Sequence, residues 1–138
     1  MIPAHKNKTL ATLLAFALGG LGLHRFYLHG WKDSWGWLHL ASVPACLAVL
    51  LLSGGRSGEF TAIPLVLSML AGFLQALVIG LTPDDKWDAR FNPASGRRSA
   101  SGWPIAILLV LTTGVGATGL IATLARSFDL LYTGGAYG

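Results

Sequence analysis

Four long apolar stretches, separated by short polar ones, set the pattern of this chain. They run from Thr9 to Leu23, Trp35 to Leu52, Ile63 to Leu81 and Trp103 to Leu124. None alternates with the period of two that marks a half-buried strand. At the helical rise of 1.5 Å per residue the last three reach about 27–33 Å, close to the hydrocarbon thickness of a bilayer. In lipid the backbone must satisfy its own hydrogen bonds, and this spacing suits helices rather than a closed barrel. The pattern therefore predicts an all-α integral membrane protein: a four-helix bundle with a short interfacial helix between the third and fourth spans. One membrane domain covers residues 1–138, with a helix pair over 6–52 and two additional spans, their loop and a short tail over 60–138.

The first run is the anomalous one. Its fifteen residues reach only about 22 Å, and it ends in Gly19-Gly20-Leu21-Gly22-Leu23-His24-Arg25-Phe26-Tyr27-Leu28-His29-Gly30. Extending it to Leu28 would carry Arg25 into the last turns, so a break at the glycines and a partly buried elbow over His24 to Gly30 is the favoured reading. Pro44 should kink the second span, because its ring removes a backbone donor and clashes with the preceding turn. Thr82-Pro83-Asp84-Asp85 reads as a helix start, with Thr82 as cap and Pro83 first in the helix. Trp87 and Phe91 then share one face of a two-turn helix that ends at Asn92-Pro93, and the Ala94 to Gly102 segment reads as flexible.

Small residues recur at helical spacing in three of the runs: Ala11, Ala15, Gly19 and Gly22; Ser68, Gly72, Ala76 and Gly80; Thr112, Gly116, Gly119 and Thr123. Such stripes let helices approach closely in lipid, and Gly19, Gly22, Gly72, Ala76, Gly116 and Gly119 are the expected packing positions. Gln75 is the one polar side chain in the middle of the third run and should hydrogen-bond across helices.

Composition agrees with a membrane class: 53% of residues are hydrophobic and 12% charged, against roughly 25% charged in a soluble domain. The net charge of +4 comes from cations at the edges of apolar runs, which favours anionic lipid headgroups over nucleic acid. The basic start before the first run imitates a signal peptide, but no small-x-small cleavage site follows, so it reads as retained. The lone Cys46 reads as apolar filler.

Candidate chemistry is sparse. Gly114-Val115-Gly116-Ala117-Thr118-Gly119 fits a dinucleotide-binding pattern, but it lies inside an apolar run with no strand before it and reads as helix packing. Asp84, Asp85, Asp88 and Asn92 lack the glycine-turned ligand loop of a calcium site. No two of His5, His24, His29 and His39 have the spacing of a helical zinc site. No serine or cysteine has a base and an orienting acid nearby. The expectation is no enzyme activity, no metal and no cofactor. The Arg25 guanidinium, between His24 and Phe26 at a helix end, is the candidate contact for a lipid phosphate or a partner carboxylate, with capping of the broken helix as the structural alternative. His24, Arg25, Phe26, Tyr27 and Lys32 form the candidate lipid- or partner-binding set.

The stretch from Lys6 to Leu28 resembles the TM-two domain family, a pair of membrane helices joined by a short linker. Lys6 and Lys8, the apolar Leu10 to Leu18, the glycine-rich helix end and the triplet His24-Arg25-Phe26 carry the resemblance. The triplet is the form that resembles bacterial members. His29 stands between Leu28 and Gly30, where family members usually place Gly directly after Phe-Tyr-Leu. The resemblance covers roughly Lys6 to Leu52 and implies a membrane helix pair, not an activity.

The sequence thus predicts a multi-pass protein of a bacterial cytoplasmic membrane, structural, adaptor or anionic-lipid-binding in role, with a membrane protein partner or a second copy as further expected contacts. A small transporter or channel subunit using the elbow and Gln75 is the alternative. With four spans, the elbow and the Thr82–Gly102 loop share one face and both termini lie on the other. The six cations Arg25, Lys32, Lys86, Arg90, Arg97 and Arg98, against four opposite, put the elbow in the cytoplasm and both termini outside.

Overall fold

The computed structural model describes residues 4–55 and 58–137. Arg56, assigned above to the second connection, lies outside the described residues. Among those described, all regular structure is helical: α1 (Lys8–Leu18) with a 3-10 turn (Gly19–Leu21), α2 (Leu23–His29), α3 (Ser34–Leu40), α4 (Ser42–Leu52), a second 3-10 turn (Glu59–Ala62), α5 (Ile63–Leu81), α6 (Asp84–Phe91) and α7 (Trp103–Thr133). Three segments are long and apolar enough to cross a membrane: Ser34–Leu52, Phe60–Leu81 and Trp103–Thr133. The protein is an all-α membrane protein.

The first apolar run, counted above as a fourth span, turns back instead. α1 lies antiparallel along α5: Lys8 donates to the Thr82 carbonyl, and Gly19 touches Gly72 at the middle of α5. There Gly22 adopts φ +73°, a left-handed conformation that favours glycine. α2 then returns along α1, so that Lys6 Nζ donates to the Leu28 carbonyl and Asn7 N–H donates to the Tyr27 hydroxyl at 2.8 Å. The glycines do break the helix, as the sequence suggested, but the elbow becomes the second arm of a re-entrant hairpin reaching about half the length of α5. Non-continuous backbone at this depth is tolerated only when protein covers it, and Gly19, Gly20 and Gly22 are all buried.

The predicted kink in the second span falls between α3 and α4, at Ala41. Pro44 has no N–H to offer the Leu40 carbonyl, so the regular ladder is interrupted there. Ser68, Gly72, Ala76 and Gly80 of α5 are all buried, as are Ala11 and Ala15 of α1 and Thr112 of α7. α5 is therefore the central helix, with the hairpin, α3–α4 and α7 around it. Its crossing with α1 is the tightest: a Cβ on Gly72 would stand 2.7 Å from Gly19 backbone atoms. Gly116 is looser, 3.3 Å from Phe73 Cβ by the same construction, and Gly119 makes ordinary contact with Leu70 at 3.8 Å.

At the end shared by residues 4–8, α2 and α6, the polar loop is tied down rather than free. Thr82 Oγ1 donates to the Val78 carbonyl and closes α5, so Pro83 and not Thr82 precedes α6. Asp84 accepts from Lys8 at 2.8 Å and from Ser101 N–H at 2.6 Å. Asp88 accepts from Ser99 N–H at 2.6 Å and from Asn92 at 2.9 Å. The segment read as flexible is thus held by two carboxylates. Trp87 and Phe91 do share a face, with ring centroids 4.4 Å apart. Trp87 is buried beneath residues 4–7, and its indole N–H donates to the Lys6 carbonyl at 3.1 Å.

The Lys8–Asp84 pair makes this end sensitive to acid. Hydrogen bonds from Lys8 and then Ser101 lower the Asp84 carboxyl from 3.8 to about 2. A depressed carboxylate stabilises the folded form above its ordinary value and loses that contribution as pH falls towards the depressed one. Hydrogen exchange of residues 5–8 should therefore speed up, beyond its intrinsic pH dependence, between about pH 4 and pH 2. Protection unchanged across that window would mean that residues 5–8 are held without this pair.

Candidate functional site

α2 is only seven residues long, so its side chains fan out in all directions, and four consecutive ones meet four different partners. His24 enters the bundle and its Nε2 lies 2.7 Å from Gln75 Oε1. Arg25 donates twice to Asp33, from Nε to Oδ2 at 2.9 Å and from Nη2 to Oδ1 at 2.8 Å. Phe26 stacks on Trp31 with centroids 5.0 Å apart and meets Trp37 edge-on at 5.5 Å. A Cβ on Gly36 would come within 2.7 Å of the Phe26 ring, so α3 packs directly on that ring. The Tyr27 hydroxyl accepts from Asn7, which itself caps α1. His24, Arg25, Phe26 and Tyr27 together fasten the hairpin to α5, α3 and the start of α1.

The Arg25 donor edge, read from sequence as a contact for a lipid phosphate or a partner carboxylate with capping as the structural alternative, faces Asp33 of the same chain, which also caps α3 through Gly36 N–H at 2.7 Å. The guanidinium holds the Asp33 carboxyl below its usual range. Of the candidate lipid- or partner-binding set only Lys32 is exposed.

Deeper in, a chain of polar groups crosses from α2 to α5 to α3 and back. Ser68 Oγ donates to the Gly20 carbonyl at 2.7 Å. Ser68 therefore accepts from His39 Nδ1, also at 2.7 Å, which leaves His39 Nε2 as an acceptor for the Gln75 amide at 2.8 Å. Gln75 Oε1 then accepts from His24 Nε2. This assignment pairs a donor with an acceptor at every link. Gln75 was legible as a cross-helix hydrogen bonder. Its two histidine partners were not, because nothing in the spacing of His24, His39 and Gln75 reveals that α2 turns back. His24 Nδ1 and Ser42 Oγ are buried without a hydrogen-bond partner among the described residues.

The membrane-surface end carries the charge. Lys32, Lys86, Arg90, Arg97 and Arg98 are exposed there, Arg90 with its guanidinium 5.2 Å from the Phe91 ring centroid. Asp33, Asp84 and Asp88 at the same end are engaged as described, leaving Asp85 as the exposed carboxylate among the described residues of that end.

No curated protein and no solved structure matches the chain. Residues 4–54 match the TM2 domain family, and the matched stretch contains the glycine turn, the His24-Arg25-Phe26 triplet, Asp33 and the broken second helix. The match thus spans the hairpin and the helix pair α3–α4, and α5, α6 and α7 lie outside it.

Proposed function

We propose that the protein is a membrane scaffold or adaptor whose basic rim holds anionic lipid headgroups. The observation that carries this reading is the one-sided charge. Lys6, Lys8, Arg25 and Lys32 join Lys86, Arg90, Arg97 and Arg98 at one end, and five of these cations are exposed, against Asp85 as the exposed carboxylate among the described residues of that end. Each cation near an anionic surface contributes about 1 kcal/mol, so the rim as a whole favours phosphatidylglycerol or cardiolipin over neutral lipid. The same asymmetry supports a rim on the cytoplasmic side of a bacterial membrane, with the C-terminus outside.

The test is lipid retention. Wild-type protein taken from bilayers of mixed phosphatidylcholine and phosphatidylglycerol should retain an excess of the anionic lipid. The variant Lys32→Gln/Lys86→Gln/Arg97→Gln/Arg98→Gln should lose most of that excess, whereas Arg25→Lys should keep it. Equal retention by wild type and the fourfold variant would remove the basis of the reading.

A further inference from the structure

Between residues 5–9 and residues 97–101, a polar cleft of about 200 Å³ opens at the membrane-surface end. Thr9, in the first turn of α1, and Ile105, in the first turn of α7, both line it. Trp103, at the first position of α7, is exposed, and a tryptophan at the end of a span marks the headgroup level.

The charges of this cleft do not cancel. Among its described lining residues Asp84 is the carboxylate, and Lys8, Arg97 and Arg98 are the cations. Lys8 is only 5% exposed, and its Nζ is spent on Asp84, the Thr82 carbonyl and Ser101 Oγ. Asp84 is spent as well, because it also accepts from the N–H and the hydroxyl of Ser101. That pairing leaves the positive charges of Arg97 and Arg98 uncompensated. Among the described residues neither guanidinium has a hydrogen-bond or ion-pair partner. Their backbone is fixed on both sides: Arg97 N–H donates to Ser95 Oγ at 3.4 Å and Ser99 N–H to Asp88 at 2.6 Å. A ligand arriving here therefore has little loop to order. Asn7 caps α1 through Oδ1, which leaves its amide hydrogens unused.

Guanidinium groups donate and never accept, so the matching ligand is an anion rich in acceptor oxygens. A carboxylate offers two oxygens and one charge. A phosphate monoester offers three terminal oxygens and carries about −1.5 to −2 at neutral pH, close to the two uncompensated charges of the cleft. Arginine binds such oxygens in pairs. The positive ends of α1 and α7 add to the same field.

We propose that this cleft binds the terminal phosphate of a phosphate monoester, with Arg97 and Arg98 on its oxygens. The proposal rests on the basic-rim reading and sharpens it: the rim attracts anionic lipid in general, and the cleft selects a terminal phosphate over a phosphodiester. Phosphatidic acid carries such a group at the membrane surface, and glycerol 3-phosphate carries it in solution.

The test takes the protein from phosphatidylcholine bilayers holding equal amounts of phosphatidic acid and phosphatidylglycerol, and counts the retained lipids by native mass spectrometry. Wild type should retain phosphatidic acid over phosphatidylglycerol about fivefold, the worth of one further charge near a cationic surface. Arg97→Gln/Arg98→Gln should bring that ratio close to one. Arg97→Lys/Arg98→Lys keeps the charge but loses the planar forks, so the ratio should fall part of the way. Lys32→Gln/Lys86→Gln, outside the cleft, should lower the total anionic excess and keep the ratio. Added glycerol 3-phosphate separates the sources. Displacement of phosphatidic acid while phosphatidylglycerol stays supports a soluble ester as ligand, and no displacement supports the lipid. A wild-type ratio near one, or an unchanged ratio in Arg97→Gln/Arg98→Gln, would overturn the proposal and leave the rim reading standing if the excess over phosphatidylcholine persists. Loss of that excess in the wild type would overturn both.

Discussion

Gly72→Ala should destabilise the protein by about 3 kcal/mol or more, a large effect for one methyl group. Overpacking commonly costs about 1–3 kcal/mol when side chains can give way. Here they cannot: the added Cβ would lie 2.7 Å from the Cα and carbonyl carbon of Gly19, so the obstacle is backbone. Gly19→Ala meets Gly72 from the other side at the same distance and should behave alike. The crossing of α1 and α5 would have to widen, and the hairpin tip would lose the Ser68 hydrogen bond to Gly20 that depends on it. Gly116→Ala should be milder, because its Cβ would meet Phe73 Cβ at 3.3 Å, which the helix pair relieves by separating a few tenths of an ångström. Gly114→Ala, facing open space, should be neutral or slightly stabilising through helix propensity. Thermal melting in mild detergent ranks the four variants. A wild-type melting temperature for Gly72→Ala would mean that the two helices do not cross at this distance.

Arg25→Ala should come next, at about 2 kcal/mol. Breaking a buried ion pair from one side costs about 3–5 kcal/mol, and partial exposure of this pair, 22% for the Arg25 side chain, calls for a smaller figure. The loss comes from Asp33, left with an unmatched charge while still capping α3. Asp33→Asn removes that charge and keeps an oxygen for the cap. The double variant Arg25→Ala/Asp33→Asn should therefore be more stable than Arg25→Ala alone, and a melting series of the single and double variants measures the coupling. Arg25→Lys should recover only part of the stability, because a lysine cannot reproduce the two parallel contacts. Additive losses across the cycle would show that Arg25 acts elsewhere than on Asp33.

The contrast between these two sites explains what the sequence carries. The packing face of α5 was legible because Ser68, Gly72, Ala76 and Gly80 repeat at the helical period, a local property of one element. The break at Gly22 and the kink before Pro44 were legible for the same reason: each follows from the conformational limits of a single residue. The direction in which α2 leaves Gly22 was not. It depends on Lys6, Asn7, Gly36 and Gln75 meeting residues 24–28 from three separate parts of the chain, and no window of sequence contains those meetings. Counting apolar runs therefore gave four spans, and the orientation argument built on four spans set the N-terminus opposite the Thr82–Gly102 loop. The hydrogen bonds from Lys8 to Thr82, Asp84 and Ser101 join the two. With the N-terminus moved, Lys6 and Lys8 no longer oppose the other cations but add to them. The pairing of Arg25 with Asp33 was hidden for a related reason: a guanidinium at a helix end looks available until the chain returns eight residues later with Asp33.

The re-entrant hairpin is the feature on which the rim and the polar chain both depend, and cysteine accessibility tests it most directly. In a Cys46→Ser background, single cysteines at Ala4, Ser99 and Ala136 are labelled with a membrane-impermeant maleimide in sealed vesicles. A hairpin followed by three spans predicts that Ala4→Cys and Ser99→Cys react from the same side and Ala136→Cys from the opposite one. Ala4→Cys reacting together with Ala136→Cys, and opposite to Ser99→Cys, would mean that the first apolar run crosses the membrane, and would contradict the account.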